Sequence, residues 1–431
     1  MKVSADPGYY HKLYGTKQSK PRITYYKKDF IDYVLMIGIT ALVLGLCYGS
    51  THPLAIIGYA LCAFEIAAFV VRHGVEWQVP LIIRDAQELI YVWGYKLRNL
   101  RPIYFLALGL LLLENVVIRL TPSLPHHTEW VRTGALWLFY INLIYITVYR
   151  TISLIDHLRK KEMVREILMQ TPWQRAITKD TNMTLEILHA YVTGVLSHVV
   201  LFGAWYLVIR YANFSLLLLL PVCIINAIVH RTWLRVANSW FYRNHWLGHH
   251  SELQFVYLHG NHHDAIPSGM IAVSENGYLE GFFRHMIGWP HPFFHPLAAF
   301  WYYTREIKFD IEMHQYIPGV FPKMSDGGID SFQHSTHHYG PLEPYGFAFR
   351  LGTVEETKAY GWVPDEMRNA IRLDEQMGFK WDNPTFRRTK MLYDKYHNPN
   401  GEKSKAAHAG STENSEHTEE TEHSAHTERI Q

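Results

Sequence analysis

Apolar residues in this chain are gathered into long blocks separated by polar, basic or proline-containing stretches. Six blocks stand out: Ile31–Gly49, Leu54–Val71, Ile103–Leu120, Thr133–Ile152, His189–Tyr211 and Phe214–Val229. Most reach the roughly 17–25 residues that a helix needs to cross a hydrocarbon core of about 30 Å. The last is short unless it runs on into the residues after it. Helices hidden in a soluble core can also be apolar, but six such blocks between residues 31 and 229 argue against that reading. The expected fold is all-α, a polytopic transmembrane helical bundle of about six spans.

The intervening stretches divide the chain further. Residues 1–30 are polar and basic and read as an N-terminal tail, so the first span serves as an uncleaved signal anchor. Residues 31–188 form an N-terminal transmembrane region. Its first two spans make a hairpin across Gly49-Ser-Thr-His-Pro53, and Trp77–Leu97, which mixes apolar residues with Arg84, Asp85, Glu88 and Lys96, reads as an amphipathic helix in the interface. Residues 189–400 begin with the last two spans and continue into a region rich in Trp, Tyr and His. There Gly288–Tyr303 is broken by Pro290, Pro292 and Pro296 and is expected to be interfacial or re-entrant. From Gly401 to Gln431 the chain is Ser, Thr, Glu and His with little to bury, which predicts a disordered tail. Cys47, Cys62 and Cys223 all fall inside predicted spans, where they serve as small packing residues rather than a disulfide framework.

Charge adds an orientation. The net charge of +2 says little, but Lys and Arg are concentrated in residues 1–30, 72–101 and 150–188 and missing from 50–53, 121–131 and 212–213. The positive-inside rule then puts the N-terminus and the basic loops in the cytoplasm. An even number of spans returns the chain to that side just before His230, so the rest of the chain forms a cytosolic-side, helical, histidine-rich cap. These basic loops flank apolar spans, which excludes a nucleic-acid surface.

That cap carries the candidate chemistry. His245, His249 and His250 form an HxxxHH pattern; His259, His262 and His263 form HxxHH; His334, His337 and His338 repeat HxxHH. Neutral imidazole is the commonest protein ligand for iron, zinc and copper. A single tetrahedral zinc needs four ligands at most, so these clusters suit two neighbouring ions. Residues three or four apart share a helix face, so each cluster can aim two or three imidazoles at one place if Trp240–Asp264 is helical. His250 is open between ligand and supporting group, as is the participation of His230, His291 and His295. His189 and His198 read as polar packing within a span. Glu65 and Glu114 are intramembrane carboxylates expected to face the bundle interior. Asp264 and Glu252 are candidates for orienting ligand imidazoles.

HxxxHH, eight residues, then HxxHH followed by Asp264-Ala-Ile-Pro267-Ser-Gly269, resembles the fatty acid hydroxylase/sterol desaturase superfamily of integral-membrane di-iron enzymes. His314, the run His334-Ser-Thr-His337-His338-Tyr-Gly, and Phe347-Ala-Phe-Arg-Leu-Gly352-Thr353 match its later regions, so the resemblance covers roughly residues 190–355 and makes 189–400 a fatty acid hydroxylase-like domain. It implies two iron ions held by His245, His249, His259, His262, His263, His314, His334, His337 and His338, with Asp310 open between ligand, supporting group and neither. It further implies a monooxygenase-type reaction: O2 and external electrons hydroxylate, or less favourably desaturate, a C–H bond of a lipid such as a sterol or fatty acyl chain. Neither a His-Pro-Gly-Gly haem signature nor a Gly-rich dinucleotide fingerprint is present. Electrons are therefore expected from a separate donor such as cytochrome b5, or ferredoxin with its reductase. The membrane would be the endoplasmic reticulum in a eukaryote and the inner membrane in a bacterium. A histidine-rich metal transporter or metal-binding membrane protein is the competing class, although transporters place such ligands near the bilayer midplane within broken helices.

Overall fold

The apolar blocks become long helices whose ends are set by ordinary helix signals. The computed structural model describes residues 24–86, 105–106, 108–169, 178, 180–225, 227–228, 245–264, 277–283, 295–315, 317, 319–322 and 337–338. Among these residues every regular element is helical. Helix α1 (Phe30–Tyr48) ends at Gly49, whose φ of 94° only glycine adopts freely. Helix α2 (Pro53–His73) has proline in its first turn and His52 Nδ1 accepting the Leu54 N–H at 3.3 Å, so two independent signals start it. Helix α3 (Leu124–Arg159) is 36 residues long. Helix α4 (Met183–Tyr211) is capped by the Asn182 side chain, which accepts from Thr184 N and Leu185 N. Helices α5 (Tyr278–Phe283) and α6 (Pro296–Met313) follow the shorter helical segments within residues 245–264.

Among the described residues four helical stretches are long and apolar enough to cross a membrane: Lys27–Tyr48, Pro53–His73, His127–Arg159 and Met183–Tyr211. They correspond to the first, second, fourth and fifth predicted spans, and the chain has the composition of a membrane protein. Two expectations fall partly outside the described residues. Of Ile103–Leu120, residues 108–120 are helical; of Phe214–Val229, helix begins only at 219, after a non-helical stretch in which Ser215 N donates to Glu114. The amphipathic-helix expectation fails at its start. Residues 74–80 are non-helical, and the single turn Leu81–Arg84 begins after Pro80, which suits a helix start and not its interior.

Helix α4 is the central pillar. It packs against α1, α2, α3, α5 and α6, and 78% of its apolar window is buried, against 44% or less in the other three long helices. Leu42, Leu46, Ile56, Val71, Trp137 and Ile144 point outward. So much exposed apolar surface is a liability in water and the matched surface in lipid. At about 1.5 Å per residue, α3 is about 54 Å long and must project beyond a bilayer core. Its projecting end receives residues 319–322: Asp156 Oδ2 accepts from Phe321 N at 2.8 Å, and Lys160 Nζ donates to Gly319 O at 2.7 Å. The predicted tail is not free where it meets the first span. Buried Tyr25 donates its hydroxyl to Val256 O at 3.2 Å, strapping the chain onto the segment that carries the second histidine cluster.

Candidate metal centre

Residues 245–250 are helical and put His245 and His249 on one face, as their spacing predicts. The helix does not run unbroken to Asp264. Ser251 is extended and its hydroxyl accepts from Gln254 N at 3.2 Å, restarting the chain as Glu252–Gln254. Phe255–His259 then form a π-helical segment, and Gly260–Asp264 return to α geometry. A π turn takes up one extra residue, so the residues beyond it are rotated by about 100° from their places on a regular helix. Two glycines let the pieces close. A Cβ on Gly248 would lie 3.0 Å from both Cβ and Cγ of His259, and one on Gly277 would lie 1.9 Å from the Leu258 carbonyl oxygen.

The fold brings the separate clusters together. His245, His249, His259, His263 and His337 form one group, and His262, His263 and His338 a second; within each, the ligand nitrogens all lie within 4.8 Å of one another, and every member is buried. His263 belongs to both. His314 joins the second group, with Nε2 3.2 Å from His262 Nε2 and its ring 4.8 Å from that of His338. Equally close nitrogens pair His249 with His337 at 3.1 Å and His337 with His263 at 3.2 Å. Two imidazoles bound at right angles to one ion at about 2.1 Å each would stand about 3.0 Å apart. These are therefore the separations of nitrogens converging on common points. Of the nine expected ligands eight are brought together; His334 lies outside the described residues. His250 is in neither group: it stacks on Trp246 at 3.9 Å and its Nδ1 donates to the Trp246 carbonyl at 2.8 Å.

Proton positions are set by the partners. His259 Nδ1 is 2.9 Å from Glu280 Oε2, so Nδ1 carries the proton and Nε2 the lone pair. That Nε2 is buried and has no hydrogen-bond partner among the described residues, a cost of about 1–3 kcal/mol unless something accepts the lone pair. His314 Nδ1 donates to the Asp310 backbone carbonyl at 2.7 Å, which turns its Nε2 toward His262. Burial pushes His314 down to about 3. Burial, and then the surrounding imidazoles of His338, His249, His259 and His337, push His263 well below the usual histidine range. Neutral imidazoles offering lone pairs, with no carboxylate in either group among the described residues, suit first-row transition ions rather than calcium or magnesium. The residues fit two such ions.

The supporting residues are only partly those expected. Among the described residues Asp264 orients no ligand imidazole: it accepts from Thr24 Oγ1 at 2.6 Å, from Tyr25 N at 3.3 Å and from Arg72, and lies 3.2 Å from His73 Nε2. Burial opposes its charge, but Arg72 and His73 hold it well below the usual carboxylate range. Glu252 faces Lys28 at 3.0 Å and Arg84 at 2.9 Å. Asp310 serves through its backbone, its carboxylate standing 3.6 Å from His314 Nδ1. His295 caps α6 and donates to Ser215 O, His189 pairs with Glu65 at 2.9 Å, and His198 packs edge-on to Phe202. Glu280, Arg72 and the two close-packing glycines carry no local sequence signal; a glycine directly before Tyr-Leu-Glu is the nearest thing to one. No family model, curated protein or solved structure matches the chain.

Proposed function

We propose that this chain is a membrane-bound di-iron oxidoreductase that uses O2 and external electrons to hydroxylate, or else desaturate, a C–H bond of a lipid such as a sterol or fatty acyl chain. The observation that carries the reading is the convergence of eight buried imidazoles into two groups sharing His263, packed on helices long and apolar enough to span a bilayer. The resemblance to the fatty acid hydroxylase/sterol desaturase superfamily supports it. His245, His249, His259 and His337 would hold one ion and His262, His314 and His338 the other, with His263 within reach of either. Iron there would supply the oxygen activation that side chains lack. The protein's own part is to keep the imidazoles neutral and aimed: Glu280 holds the His259 Nδ1 proton, the Asp310 carbonyl holds that of His314, and burial excludes water from both groups. Basic flanks argue for a cytosolic face, where a separate donor such as cytochrome b5, or ferredoxin with its reductase, would deliver electrons.

The test pairs metal analysis with lipid chemistry. Protein handled anaerobically is expected to carry iron and, given electrons and membrane lipid, to consume O2 and leave an oxidised lipid by mass spectrometry. His262→Ala, which belongs to one of the two groups, should abolish the oxidation and lower the iron content. Metal uptake into liposomes with no O2 consumption would replace this reading with transport.

A further inference from the structure

We infer that Glu280 is the positioning residue of the metal centre, fixing His259 as its Nδ1–H tautomer and making the first histidine group the tighter of two ion positions. The inference rests on the reading that the histidines hold two ions.

The placement of Glu280 is built in by close packing. Helix α5 begins against the π segment and Gly260–Asp264, where a Cβ on Gly277 would meet the Leu258 carbonyl oxygen at 1.9 Å and Asn261 Oδ1 at 2.2 Å. Only glycine permits that approach. Three residues on, the carboxylate reaches His259 Nδ1 at 2.9 Å, with side-chain exposures of 12% and 2%. An anionic acceptor on Nδ1 does two things: it removes the wrong tautomer, and it makes Nε2 a more basic donor. The second group has a different backing. His314 Nδ1 donates to a neutral backbone carbonyl at 2.7 Å, with the Asp310 carboxylate further off at 3.6 Å. His259 and His314 therefore differ in donor strength although both groups are lined by histidine.

The experiment titrates the purified full chain in detergent with Co2+, reading the ligand-field absorption band and bound metal by equilibrium dialysis. Wild type is expected to bind two ions with separable affinities. Glu280→Ala should weaken the tighter ion about 10–100-fold and leave the weaker one in place. Glu280→Gln, whose amide oxygen still accepts from Nδ1–H, should fall between them, and Gly277→Ala should mimic Glu280→Ala. In a His259→Ala background, Glu280→Ala should add nothing. Unchanged affinities in Glu280→Ala, or equal weakening of both ions, would overturn the inference while leaving a two-ion centre standing. Failure of wild type to bind any ion would overturn that centre and the inference with it.

Discussion

Arg72 donates to both the carboxylate and the backbone carbonyl of Asp264, the latter at 2.8 Å, so the last turn of α2 holds the residue directly after His262-His263. The same guanidinium grips Glu186, in the first turn of α4, through parallel bonds of 2.9 and 3.0 Å. All three side chains are buried. Removing one partner of such a set leaves uncompensated buried charge, which costs about 3–5 kcal/mol. Arg72→Ala should therefore lower the thermal midpoint in detergent sharply, and Arg72→Lys should recover little, since an ammonium cannot make the forked contact. A midpoint within error of wild type would show that the network does not anchor the centre.

Gly248 makes a narrower prediction. Because a methyl there would press on His259 Cβ and Cγ at 3.0 Å, Gly248→Ala must displace that imidazole or the helix bearing it. Overpacking of this kind costs about 1–3 kcal/mol. Metal titration should show the His259 group weakened first, with far-ultraviolet circular dichroism unchanged. Full wild-type affinity would mean that the two helices have slack.

Inside the bundle, Glu65 accepts from Tyr33 at 3.0 Å and from Thr193 at 3.3 Å and pairs with His189 at 2.9 Å. Glu65→Leu leaves those groups unmet, a loss of about 1–3 kcal/mol. Combining it with His189→Leu should restore much of the stability, since replacing a buried pair by apolar side chains is often neutral. Destabilisation that adds across the two substitutions in denaturant melts would contradict the pairing.

His295 gives a pH dependence. Its Nδ1 lone pair accepts from Leu297 N and its Nε2–H donates to Ser215 O, so the neutral ring caps α6, and burial lowers its proton affinity. The unfolded chain takes up a proton near the ordinary histidine value of about 6.5, and the folded one resists. Stability from this group is whole above that pH and falls as pH drops below it. His295→Asn, which can still cap, should flatten the decline in melting temperature between about pH 7.5 and 5.5. Parallel slopes in mutant and wild type would sink the assignment.

Local signals were readable in the sequence, and long-range ones were not. His245 with His249 shows in the spacing because four residues make one helical turn, and the apolar runs of α1, α2, α3 and α4 show because lipid demands them. The break at Ser251 and the π segment after it were hidden, since nothing in Ser-Glu-Leu-Gln-Phe-Val-Tyr-Leu-His separates them from a plain helix. Asp264 looked like a partner for its histidine neighbours, yet its partner Arg72 lies 192 residues away. Glu280 stood unremarked because its role depends on how closely Gly277 lets α5 approach.

The central claim is a centre of two ions with His263 in reach of both groups, and metal stoichiometry tests it most directly. Full-length protein reconstituted anaerobically with ferrous iron, desalted and analysed for metal per chain should hold two irons in wild type. His314→Ala, which touches the second group alone, should retain one, and His263→Ala should hold fewer than two. A single iron in wild type, or a His263→Ala variant that keeps both, would contradict the two-ion centre.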